Sequence, residues 1–289
     1  MDADTFTDKQ IISFCEENFI NLKINTDTDY GHELFDKFNG VNLPTILLLD
    51  SNGNEIDRFI GYHKPIAYLK KITDIKNNIN TLEYFLGEYK LYPDSTSLAL
   101  QIGNKYLQRN LDDTAKIYFE HVISGSNNKN YQEAVYRLAF LEYENGHFEK
   151  ILNFIDKNPD SDFTYSAIRS MIRYYRGESD TILEVKYYEK LIDFFPTNAS
   201  GLNSYGWRMS ELEINLDKAL IKAQLAVELS FDDPLSQAGI LDTEAEILWK
   251  LGRIEEAIII IQRSIQIDPD KDYYKEQKEK FQKSLAIHQ

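Results

Sequence analysis

The sequence has one cysteine, Cys15, in 289 residues, which excludes an internal disulfide and any cysteine-rich zinc site. Basic residues are also in short supply: 32 Lys and Arg against 47 Asp and Glu leave a net charge of -15. A polyanion partner such as DNA or RNA is therefore not expected, because phosphate binding relies on clustered Lys and Arg. No apolar run approaches the roughly 18 residues needed to cross a bilayer, and Ala257 to Ile261 is far too short to span one. The opening MDADTFTDKQ has no basic region followed by an apolar one, so no secretory signal is read in the chain as given. His32, His63, His121, His147 and His288 are scattered without HxxxH or HExxH spacing, and no metal site is expected. GxxxxGK, GxGxxG and GxSxG are all missing, which removes support for a nucleotide-driven enzyme, a bound cofactor or serine-based hydrolysis.

What is present is a folding composition, 43% hydrophobic and 13% aromatic, in a chain long enough for two ordinary domains. Pro93, Pro159, Pro196, Pro234 and Pro269 each follow an amphipathic helical stretch. The last three gaps, 37, 38 and 35 residues, lie close to a period of about 34 residues, and the first gap is about twice that. The clearest unit is LDTEAEILWKLGRIEEAIIIIQRSIQIDP, with small residues at Ala245, Ala257 and Ser264, a turn at Gly252 and a terminator at Pro269. It closely resembles the tetratricopeptide repeat (TPR). Gly103, Tyr106, Ala115 and Phe119 form the packing set of one further unit, and another runs from Tyr131 through Ala139 and Gly146 to Pro159. Ile168, Ile172, Tyr175, Tyr188 and Leu191 mark a unit with larger residues, and Leu202, Trp207, Ala219, Ala223 and Ala226 mark a looser one. The count is five repeats, closed by an amphipathic helix from Tyr273 to Ile287 that suits a capping role.

Residues 1–79 read as α/β and 80–289 as all-α repeats. Short β-like runs occur at Leu22 to Ile24, Ile46 to Leu49 and Ile56 to Ile60, with helical spacing between and after them. Asp50-Ser51-Asn52-Gly53-Asn54 separates the last two runs and predicts a tight antiparallel hairpin; the same loop lacks the glycine that a calcium loop needs where Glu55 stands. The order of helix, strand, helix, Val41-Asn42-Leu43-Pro44-Thr45, strand, hairpin, strand, Gly61-Tyr62 and helix resembles the later part of a thioredoxin fold. That resemblance implies that Pro44 holds the family's cis-proline position. It also implies that the opening residues follow a CxxC motif that is absent here. The expectation is a partial thioredoxin-like segment, either because the natural chain starts upstream or because the segment is a degenerate remnant. Cys15, beside Phe14 on a helix with Ile11, Ile12 and Phe19, reads as buried packing or as a reactive thiol; without a second sulfur, thiol–disulfide exchange is not expected of it.

Arg169, Arg173 and Arg176 stand at i, i+4 and i+7 on one helix face, and matching the repeat register adds Arg137 and Arg208, five of the nine arginines. In an acidic chain they would form a positive trough for an acidic peptide or a C-terminal carboxylate, with Tyr136, Phe140 and Tyr143 as apolar contacts. The other reading pairs these arginines with Glu133, Glu142, Glu178 or Glu211 and places the aromatics in the core. The sequence thus predicts a protein-interaction scaffold that binds a peptide or protein, with a catalytically silent thioredoxin-like segment. The other function is a repeat-bearing thiol–disulfide oxidoreductase whose CxxC lies upstream of Met1. With an upstream export signal it would work in the bacterial periplasm; otherwise the compartment is the cytoplasm.

Overall fold

The computed structural model describes residues 1–125 and 129–288. The chain divides into two compact units, Met1–Phe154 and Ile155–Gln289.

In the first unit, α1 (Lys9–Asn18) starts where the Asp8 carboxylate accepts hydrogen bonds from the Gln10 and Ile11 amides, and α2 (Asp29–Lys37) starts on Thr28. The strands β1 (Thr45–Leu49) and β2 (Glu55–Ile60) pair antiparallel, Thr45 opposite Ile60, with an irregularity at Leu48/Leu49. Between them Asp50 Oδ1 accepts hydrogen bonds from the Asn52 and Asn54 amides at 2.8 and 2.9 Å, and Gly53 has φ +81°, so the expected hairpin is present. The Leu43–Pro44 peptide bond ahead of β1 is cis. One expectation is corrected. Leu22–Ile24 is not a strand: Leu22 is 80% exposed and no backbone ladder forms there, so its β propensity has neither a partner nor a buried face to act through. The sheet has two strands and is not clearly a thioredoxin fold. Helix α3 (Pro65–Lys76) covers β2 with Tyr68, Ile72 and Ile75, closing a small core with Ile11, Leu48 and Phe59.

Helix α4 (Leu82–Leu91) leads into hairpins. In α5 (Thr96–Leu107) and α6 (Asp112–Ser124), Ala99, Ile102, Ala115, Phe119 and Val122 are fully buried, and a Cβ on Gly103 would lie 2.5 Å from the Phe119 ring. That distance shows how closely the two helices approach. Next come α7 (Lys129–Glu144) and α8 (Glu149–Lys157), and the two units divide within α8.

The second unit holds α9 (Asp162–Gly177) with α10 (Thr181–Phe194), α11 (Ala199–Leu212) with α12 (Leu216–Leu229), and α13 (Pro234–Lys250) with α14 (Ile254–Ile267). A final helix, α15 (Asp272–His288), packs on α14, with Tyr274 and Phe281 buried. Small side chains let paired helices meet: Ala219, Ala223, Ala245, Ala257 and Ser264 are fully buried. The helical part is TPR-like, five hairpins and a terminal helix among the described residues, in the order the prolines predicted. No helix of the described residues is long and apolar enough to cross a membrane.

Candidate functional site

Helix α9 is built two-faced. Ser161 caps its first turn, and Ala167, Ile168, Met171 and Ile172 face the core. The residues left outward include Arg169, Arg173 and Arg176, all exposed. Tyr165 reaches α11, where a Cβ on Gly201 would lie 3.3 Å from its ring, and the edge-on ring of Phe195 lies 5.3 Å away. The arginine stripe of α9 therefore adjoins α11, which carries Asn203, Ser204, Trp207 and Arg208 half-buried.

These arginines are not equivalent. The Arg176 Nε donates to Glu184 Oε1 at 2.7 Å, and Arg208 donates to the same carboxylate through Nε and Nη2, both at 2.9 Å. Arg208 also binds Glu211 at 3.0 Å. Glu184 is 1% exposed. Burial works against its charge, but hydrogen bonds from Arg208 and Arg176 outweigh it and hold the carboxyl below its usual range. Arg169 instead lies over the Tyr165 ring at 5.8 Å, and Arg173 Nη2 donates to Ser170 Oγ at 3.3 Å. Among the described residues neither has a carboxylate partner. Two of the four guanidiniums are thus paired with carboxylates and two, among the described residues, are not.

Glu184 was missing from the reading of the sequence, although a signal for it existed. It is the fourth residue of α10, and the fourth residues of α6, α12 and α14 are Ala115, Ala219 and Ala257, all fully buried. A carboxylate where three of the other four second helices carry alanine needs buried cationic partners.

The remaining predicted residues lie in the first unit. Arg137 donates to Glu133 Oε1 at 3.1 Å and covers the Tyr136 ring at 5.7 Å, while Glu133 also accepts from Asn104 Nδ2 at 3.0 Å. Tyr136 is buried, with ring centroids 5.8 Å from Phe140 and 5.6 Å from Phe154; Phe140 stacks on Tyr143 at 5.5 Å. Tyr136 is therefore packed in the core, and Arg137 is ion-paired with Glu133. Cys15 lies half-buried against the Ile11 core, where burial pushes its thiol up. Among the described residues no group of three or more His, Cys, Asp and Glu side chains could hold a metal ion.

No protein-family model matches the chain, and no curated protein matches it. Among solved structures it is similar to BtubC (BKLC) from P. vanneervenii, at 12% identity over 64% of this chain and 86% of that one, with a TM-score of 0.48. It is similar to a thermophilic TPR protein of Thermus thermophilus at 18% identity, 65% and 98% coverage and a TM-score of 0.34. For YrrB, a TPR protein with an unusual peptide-binding site, the values are 15%, 73%, 87% and 0.32. TPR proteins are structural neighbours of this chain, while its hairpin architecture rests on the helix pairs described above.

Proposed function

We propose that this chain is a protein-interaction scaffold of TPR type whose α9–α11 face takes an acidic peptide or protein segment. The observation that carries the reading is the pair Arg169 and Arg173, exposed one helical turn apart and without carboxylate partners among the described residues, in a protein of net charge -15. Two open guanidiniums in an acidic protein attract anions, and each can grip a carboxylate with two parallel hydrogen bonds. Tyr165, whose ring lies 5.8 Å from the Arg169 guanidinium, supplies apolar surface beside them.

In the same reading residues 1–79 form a thioredoxin-like segment without redox cysteines, and residues 80–289 form the repeat domain. The element order of helix, helix, hairpin and helix supports the first part, and the turn between α3 and α4, with Asn78 and Asn80 at φ 53° and 56°, supports the boundary.

The test is fluorescence anisotropy with a labelled glutamate-containing peptide. Charge-assisted hydrogen bonds are worth about 1.5 to 3 kcal/mol, so Arg169→Glu with Arg173→Glu should weaken binding at least about tenfold. The circular dichroism spectrum should stay unchanged, because both side chains are exposed. Unaltered affinity in the folded double variant overturns the assignment.

A further inference from the structure

We propose that Glu184 is an internal anion that sets the specificity of the α9–α11 face, restricting it to ligands that bring one pair of negative charges. The proposal deepens the acidic-segment reading and rests on it.

At the fourth residue of the second helix, α6, α12 and α14 bury an alanine, which leaves room for the partner helix. At that place α10 buries a carboxylate whose two oxygens are both taken, Oε1 by Arg176 and Arg208 and Oε2 by Arg208. Packing alone calls for no charge there, since alanine fills the position elsewhere in the same chain. What Glu184 changes is the electrostatics of the exposed face. The four arginines of α9 and α11 carry four positive charges, and Glu184 with Glu211 cancels two of them.

The surplus of two sits on Arg169 and Arg173, on adjacent turns of α9. Arg208 is 19% exposed and fixed on both sides by carboxylates, and Arg176 is bonded to Glu184 and to the Tyr188 hydroxyl. A ligand with two neighbouring carboxylates matches this surplus. A longer acidic tract would place its further charges beside guanidiniums that already have partners, and would gain little from them.

Two labelled peptides, one with a single pair of glutamates and one with four glutamates in a row, provide the test by anisotropy. The native chain should bind the four-glutamate peptide no more than about twofold tighter than the two-glutamate peptide. In Glu184→Gln, with Arg176 freed and Arg208 held by Glu211 alone, the preference should rise to about tenfold, the size expected of one added charge-assisted contact. A purely structural role for Glu184 would weaken both peptides alike and leave the ratio unmoved, which overturns the proposal. Glu184→Ala installs the residue that α6, α12 and α14 carry there and repeats the measurement should Glu184→Gln not fold. A native chain that already prefers the longer peptide about tenfold overturns the proposal without any variant. A chain that binds neither peptide defeats the proposed function and this inference together, whereas equal ratios with intact binding defeat the inference alone.

Discussion

Asp242 on α13 is 7% exposed, and its carboxyl is pushed up to about 6, first by burial and then by the nearby charge of Glu246. A hydrogen bond from Tyr273 and the ammonium groups of Lys280 and Lys271 pull the other way without cancelling the shift. Because the folded chain holds this proton more tightly than the unfolded chain, the stabilising contribution is complete below about pH 4 and is lost as the pH rises through about 6. Asp242→Asn should therefore melt at a higher temperature than the native chain above about pH 6, by the equivalent of about 3 kcal/mol, with the gap closing toward pH 4. Thermal unfolding followed across that range checks the sign; a gap that widens on acidification contradicts it. The same scale shows what a sequence can hide. Arg169, Arg173 and Arg176 were legible as one stripe because spacing alone puts them on a face. Their division into open and neutralised groups was not, since it depends on Glu184, a residue that departs from the repeat pattern and so escapes a search for residues that fit it.

Two glycines separate close helix approach from mere tolerance at the level of the hairpin. Gly103 on α5 faces the Phe119 ring of α6 so closely that an added methyl would lie 2.5 Å from it, whereas a methyl on Gly206 of α11 meets Ile247, Thr243 and Ala223 at 3.4 to 3.5 Å, ordinary contact distances. Overpacking a tight contact costs about 1 to 3 kcal/mol, while replacing a helical glycine by alanine gains about 0.5 to 1 kcal/mol where space allows. Gly103→Ala should thus destabilise the chain and Gly206→Ala should leave it unchanged or slightly more stable. Urea unfolding of the two variants tests the contrast, and equal effects would reject it. The hairpins themselves were legible because prolines, turn glycines and small residues recur at one period and each acts locally. The run Leu22–Ile24 was not, because its alternation is the same whether or not a neighbouring strand exists to pair with it.

On the scale of the whole chain, the α/β residues and the first hairpin are joined by a buried charge network. Asp57, fully buried on β2, bonds Arg109 Nη2 at 2.6 Å and also the Lys105 ammonium, while Glu55 binds Arg109 at 2.8 Å and Arg58 through a second hydrogen bond at 2.8 Å. The Arg58 Nη1 donates to the carbonyls of Asn39 and Gln108 at 3.3 and 3.2 Å. Burial pushes the Lys105 ammonium down against the pull of Asp57. Removing one member of a buried pair leaves the others uncompensated, at a cost of about 3 to 5 kcal/mol. Asp57→Asn should lower the free energy of unfolding by that order in a urea titration, and a loss within about 0.5 kcal/mol, the size of an ordinary surface change, would exclude a structural role for the network. None of this could be read from the sequence, because the partners lie 48 and 52 residues apart and no periodicity links them.

The two tryptophans, Trp207 and Trp249, both lie beyond the division within α8, one hydrogen-bonded to Glu211 and the other 5.9 Å from the Phe281 ring. Indole emission consequently comes from residues 155–289 alone. The chain thus carries a built-in optical reporter that can register an arriving peptide beside Arg208 and can time the melting of one unit while the other stays dark.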